Sequence, residues 1–270
     1  MKDIPVLLAR GKTIPETWEK AVLEVWHKGI EIRTEYDKDN AAASRDCTMI
    51  MVIDEPMSEP RIHRAFPGGL DDLEVYRQEV INGVHDHWIN PAEGKWTYTY
   101  HQRLFQYRIE ESVIDQINYI ISKLSQAPYS RRAQAITWNP KLDTPTDDPP
   151  CLQRIWCRLT DDGSRLYLNM NTHWRSRDAY KASFMNIFAL TDFQAMMAKR
   201  LSDKMKKDVS VGRYVDITDS FHIYGSYHDE FRNFIKNIET RSFQQKTWET
   251  KFAEPFFKKG RERLEKEAGR

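Results

Sequence analysis

Cysteine is scarce in this chain. Three in 270 residues (Cys47, Cys151 and Cys157) are too few for a disulfide framework, and no CxxC or Cys/His pair has metal-ligand spacing. An excess of either charge is missing too. Lys+Arg 41 against Asp+Glu 40 leaves no broad electrostatic footprint for nucleic acid, so any anion site must be local. No stretch approaches a membrane span, and the N-terminal PVLLA is too short for the apolar core of a signal peptide. Pro67-Gly68-Gly69 marks a turn, but the Lys-Ser/Thr of a phosphate cradle does not follow it. His85, Asp86 and His87 are adjacent on a helical pattern, so they cannot all face one ion. These absences point to a cytoplasmic protein in a reducing compartment, with no metal, membrane or nucleic-acid partner.

An apolar content of 40% with 12% aromatics is enough for a substantial core. Helical periodicity runs over Ile14 to Gly29, Asp72 to His87, Glu110 to Leu124 and Asp192 to Leu201. CTMIMVI and Leu152 to Leu159 have the length and composition of strands. Tyr98 and Tyr100 share a face if their segment is also a strand, and His222 and Tyr224 alternate on one side of another.

One stretch carries chemistry. Cys151 follows Asp147, Asp148 and two prolines at the mouth of a strand, and Pro149-Pro150 fixes the angle at which the thiol arrives. A lone cysteine is more often a small buried hydrophobe than a nucleophile. Arg175, Ser176, Arg177 and Asp178 then give two fork donors, a hydroxyl and a carboxylate, and Asn186 follows eight residues later in an apolar run. An Arg-Ser pair suits a phosphate, and a primary amide suits one edge of a pyrimidine. Together they outline a pyrimidine nucleotide site.

PPC, then RS-x-D, then Asn186 resembles the thymidylate synthase family, and ordered matches run from about Tyr98 to Asp229. The resemblance implies an α+β fold over 1–270 as a single thymidylate synthase-like domain. Its mixed β-sheet is covered by helices on one face, and the other face forms a sheet-to-sheet homodimer. It implies catalytic roles for Cys151, Glu79, Tyr100, Arg175 and Asp178, with Glu74 as the fallback for Glu79. It implies nucleotide contacts from Arg45 (or Arg33), Arg175, Ser176, Asn186, His222 and Tyr224, with Arg131 and Arg132 reaching the phosphate across the dimer. Trp88, Asp178, Ala182 and Met185 are the implied contacts of 5,10-methylenetetrahydrofolate or a related reduced pterin. Leu152, Lys181 with Ala182, and Met185 depart from the common family pattern. The implied reaction is one-carbon transfer to C5 of dUMP. Hydroxymethylation of dUMP, dCMP or CMP, with water trapping the intermediate, is the alternative, and a non-catalytic nucleotide-binding homologue is the second.

Overall fold

The computed structural model describes residues 3–37 and 42–269. The chain opens with strand β1 (Val6–Gly11), helix α1 (Ile14–Lys28) and strands β2 (Ile30–Ile32) and β3 (Ser44–Ile53). Pro15 and Glu16 stand in the first turn of α1 and His27 and Lys28 in its last, which suits the helix dipole. Trp18, Val22 and Val25 recur on one side of it and are fully buried.

A two-residue strand, β4 (Ile62–His63), precedes helix α2 (Leu70–Asn82). Sequence periodicity carries that helix to His87, but Gly83 stops it with a left-handed φ of 64°, and a Cβ there would stand 2.2 Å from His101. Next come α3 (Tyr100–Phe105), the hairpin β5 (Tyr107–Ile109) and β6 (Ser112–Ile114), and α4 (Gln116–Gln126). Two expectations fail here. The segment holding Tyr100 is a helix capped by Thr99 rather than a strand, and the helix expected from Glu110 begins at Gln116 behind its Asp115 cap.

The chain continues with β7 (Gln134–Ile136), α5 (Pro140–Asp143), β8 (Leu152–Asp161) and β9 (Leu166–Asp178). Then follow α6 (Ser183–Met205), β10 (Val209–Ile223) and α7 (His228–Glu239). The last elements are α8 (Phe243–Lys246), β11 (Thr247–Trp248) and α9 (Thr250–Glu267).

The main sheet has seven strands in the order β1-β3-β10-β9-β8-β7, and β2 shares with β1 the same edge of β3. It is mixed: β1 with β3 and β10 with β9 run parallel, and the other pairs run antiparallel. α1 and α6 pack on one face, over Cys47, Met49, Met51, Leu168, Met170, Cys157 and Leu159. Burial of each large side chain in this layer contributes about 1.5–3 kcal/mol. α6 is buried nearly all round, since α2 and α4 cover its outer side. Residues facing the other way, such as Ile50, Val52, His173 and Trp156, stay half-buried, and Val6 and Leu8 are exposed.

Strand register slips at Leu152/Arg154 in β8 and at Thr218/Phe221 in β10, both toward one end of the sheet. No helix among the described residues is long and apolar enough to cross a membrane.

Candidate active site

Cys151 stands immediately before β8, where the paired strand β9 can reach its backbone. The Arg175 amide donates to the Cys151 carbonyl (2.9 Å), its Nε to the Pro150 carbonyl (3.2 Å) and its Nη2 to the Pro149 carbonyl (2.6 Å). One arginine therefore grips three successive carbonyls of the Pro-Pro-Cys turn. On the far side the Leu152 amide donates to the Tyr100 hydroxyl at 3.3 Å, and the Thr137 hydroxyl bonds the Leu152 carbonyl. The backbone on both sides of the thiol is held.

Burial pushes the Cys151 thiol above its ordinary pKa, and Asp148 adds to this, although Arg175 and Arg177 both pull it down. Both arginines favour the thiolate, but burial outweighs them. Alkylation of Cys151 by iodoacetamide at pH 7.5 is therefore expected to be slower than that of free cysteine and to keep rising beyond pH 9. Arg175→Gln, which removes the largest opposing charge, is expected to slow it further. A rate already at its plateau by pH 8 would contradict this.

Around the thiol the fold gathers most of the other predicted groups. Tyr98 and Tyr100 lie 5.6 Å apart, and burial with the nearby Cys151 charge raises both phenols. Asp178 closes β9, where its Oδ1 accepts from the amides of Tyr180 and Lys181 (2.9 and 2.8 Å) at the turn into α6. His222 of β10 is paired with Asp178 on one side and Asp46 on the other, and burial raises both carboxyls. The His222 Nε2 is buried without a hydrogen-bond partner among the described residues, and its ring lies 4.6 Å from that of Tyr224, whose phenol is pushed up to about 12 by burial and Asp178. Ser176 is half-buried beside Ser220 of β10. A cleft of about 840 Å³ runs outward from Tyr100 past Tyr98 and Trp96, with Glu79 on one wall and Asp147 and Asp148 on another.

Two residues join this centre to which the sequence assigns no individual role. The Asn186 Nδ2 donates to the Tyr76 hydroxyl at 2.7 Å, which brings α2 onto the base-reading amide. The signal was available: Tyr76 stands one helical turn before Glu79, on the same side. Arg177, the second fork donor of RSRD, is 3% exposed and pairs with the fully buried Asp216 and with Thr218 (3.2 Å). Its guanidinium lies 4.6 Å over Trp174, and its Nε and Nη1 have no hydrogen-bond partner among the described residues. Nothing in the local sequence announces a buried arginine.

The remaining predicted residues have the following surroundings. Arg45 donates to the Trp26 carbonyl (2.9 Å) and to Glu31 (3.1 Å), so the structure ties it to the end of α1. The stretch holding the runner-up, Arg33, comes closer: the phenol of Tyr36 in that loop feels Arg175 and Asp148. Arg131 and Arg132 are exposed on the approach to the edge strand β7. Glu74 cannot be the fallback acid, because it is fully buried between Arg77 and Arg261. Glu79 is bonded through Oε2 to His85 Nδ1 (2.9 Å), and burial raises its pKa. His85 in turn stacks on Trp88 at 3.7 Å, so one face of that indole is taken. Ala182 caps the N-terminus of α6, accepting from the Asn186 amide at 3.1 Å, and Met185 packs against the core beside Gly68.

A family model for thymidylate synthase matches residues 69–257. The chain belongs to the thymidylate synthase family. A thymidylate synthase relative from Methanosarcina mazei, named "Putative thymidylate synthase", is 28% identical over 86% of this chain and 95% of its own length. A relative of the same name from Methanocaldococcus jannaschii is also 28% identical, over 81% of this chain and 91% of its own. Among solved structures, the thermostable thymidylate synthase A from Bacillus subtilis superposes with a TM-score of 0.60 at 19% identity, covering 82% of this chain and 83% of that one. The mixed sheet with helices packed on it is thus the thymidylate synthase fold.

Proposed function

We propose that this protein transfers a one-carbon unit from 5,10-methylenetetrahydrofolate to C5 of a uracil nucleotide, dUMP to dTMP, through addition of Cys151 to C6. The observation that carries this reading is the seat of the thiol, where the Arg175 bonds to Pro149, Pro150 and Cys151 and the Tyr100–Leu152 bond hold the nucleophile in one place. The Arg175 Nη1 takes part in none of these bonds and remains, with Ser176, for the phosphate. Asn186 reads the ring, and His222 and Tyr224 bond the sugar.

Addition at C6 makes C5 nucleophilic, and Tyr100 then moves the C5 proton by way of water while Glu79 exchanges protons with the cleft. The cleft is of ligand size and combines Trp96 and Tyr98 with carboxylates, which suits a flat ring bearing hydrogen-bond donors. Reduced folate, when bound, supplies the one-carbon unit and, for a methyl product, the hydride. Asp178, Ala182, Met185 and the free face of Trp88 are its assigned contacts. Arg131 and Arg132 reach the phosphate of a second copy, with the open sheet face between them and residues 1–270 acting as one domain.

The test is product mass after incubation with methylenetetrahydrofolate and, separately, dUMP, dCMP, UMP and CMP. dTMP with dihydrofolate is the expected result. A hydroxymethyl nucleotide with tetrahydrofolate left unoxidised would replace methylation by water trapping, and turnover of cytosine nucleotides alone would remove Asn186 as a uracil reader.

A further inference from the structure

Two proton-bearing side chains stand one turn apart on α2, and they have different partners. Glu79 is held by His85, which also approaches Glu267 of α9 at 3.5 Å, so this carboxyl faces the outer part of the cleft. Tyr76 is held by Asn186. Resting on the reading of the site given above, we propose that Tyr76 is a catalytic residue whose phenol donates its proton to O4 of the uracil ring while Cys151 bonds to C6.

The argument begins with the Asn186 amide. Its Nδ2 is spent on the Tyr76 oxygen, which leaves Oδ1 to accept from the ring N3–H. In uracil, O4 adjoins N3 and so falls on the Nδ2 side, next to the phenol. The Tyr76 oxygen serves as acceptor toward Asn186, so its own hydrogen points elsewhere. Among the described residues it is donated to no group. The Arg177 charge acts on the phenol, and the Nε and Nη1 of that arginine are buried with no hydrogen-bond partner among the described residues. Burial keeps the phenol protonated in the resting chain, and the Asn186 bond and the Arg177 charge favour its anion.

The electron count closes without a further reactant. The Cys151 thiolate forms the S–C6 bond, the C5–C6 π pair shifts to C4–C5, and the C4–O4 π pair moves onto O4. O4 takes the Tyr76 proton, and the phenolate rests on the Asn186 N–H and the Arg177 guanidinium. When C5 attacks its electrophile the carbonyl re-forms and the proton returns to Tyr76. A 4-amino ring would set a donor against the donors of Asn186 and Tyr76, so the same pair disfavours cytosine.

The test compares wild type, Tyr76→Phe and Glu79→Gln in release of deuterium from C5-deuterated dUMP with methylenetetrahydrofolate present. Thiol addition is also followed by ring absorbance on the nucleotide of 2-pyrimidinone, which has no 4-oxygen. Tyr76→Phe is expected to slow release about 100-fold or more while moving the dUMP dissociation constant less than about fivefold. On 2-pyrimidinone it should match wild type, and an unchanged melting temperature would confirm its fold. Undiminished release from dUMP, or equal slowing on both rings, overturns the role of Tyr76. Slower release in Glu79→Gln than in Tyr76→Phe would also overturn it and give the proton to the carboxyl. A wild type that releases no deuterium sinks the thymidylate synthase reading itself, which separates the two failures.

Discussion

Cys151→Ser is expected to lower dTMP formation by about 10⁴-fold or more, with fold and dUMP affinity kept within a few-fold. Serine has nearly the volume of cysteine. The contacts that seat this residue use backbone atoms of Pro149, Pro150, Cys151 and Leu152, so the substitution leaves them in place. What is lost is the nucleophile. A thiol raised by burial can still ionise beside Arg175 and Arg177, whereas an alcohol cannot do so at any working pH. The measurements are product formation and intact mass after quenching with dUMP bound, where only wild type should carry a nucleotide. A wild type that turns over no faster than the serine variant would establish a binding protein that has kept the fold without the reaction.

Asp216→Ala is expected to cost about 3–5 kcal/mol of stability, since removing one partner of a buried pair strands the other charge. Asp216 and Arg177 are both almost fully enclosed, and Asp216 also accepts from Tyr214 (3.0 Å) and Thr172 (3.1 Å). Arg177 would be left with Thr218 alone. At the scale of ~2–4 °C per kcal/mol for a chain of this size class, the melting temperature should fall by roughly 6–20 °C. Cys151 should respond in the opposite direction. Arg177 already favours its thiolate, and without Asp216 the arginine's field is uncompensated, so iodoacetamide should react faster than in wild type at pH 7.5. Replacing both partners at once, Arg177→Met with Asp216→Leu, should recover most of the stability, and the faster alkylation should vanish. A single variant that melts with wild type would mean that water satisfies the pair.

The stretch from Asp147 to Asn186 was legible because its chemistry is local. Two prolines, a thiol and an Arg-Ser pair on the neighbouring strand need little more than strand pairing to meet. α1 and the run Leu152 to Leu159 were legible through apolar periodicity, which the core enforces. The partners of Arg45, Trp26 and Glu31, were not legible, because they are set by how β2 folds back on β3, and sequence spacing is blind to that. The overlong helix after Asp72 and the misplaced one at Glu110 share a cause: Gly83 and the Asp115 cap decide the ends, and the apolar pattern runs through both. Tyr76 was missed for a different reason. An aromatic on an apolar helix side reads as packing, and only the arrival of Asn186 from α6 turns its hydroxyl into part of a site.

The irregularity in β8 separates two variables that a regular strand would tie together. Ile155, Cys157 and Leu159 set the hydrophobic phase of the strand, and strict alternation would carry that phase back through position 153 to position 151. The extra residue resets it, because Leu152 pairs with Trp174 while Arg154 pairs with His173, and Leu152 takes the inward place instead. The direction of the nucleophile can therefore drift over generations without disturbing the sheet. A lineage that drew Gln153 into regular pairing would push Leu152 outward, turn its thiol into the hydrophobic layer and fall silent as an enzyme, whereas one that simply lost Gln153 would keep Leu152 inward and the thiol where it is.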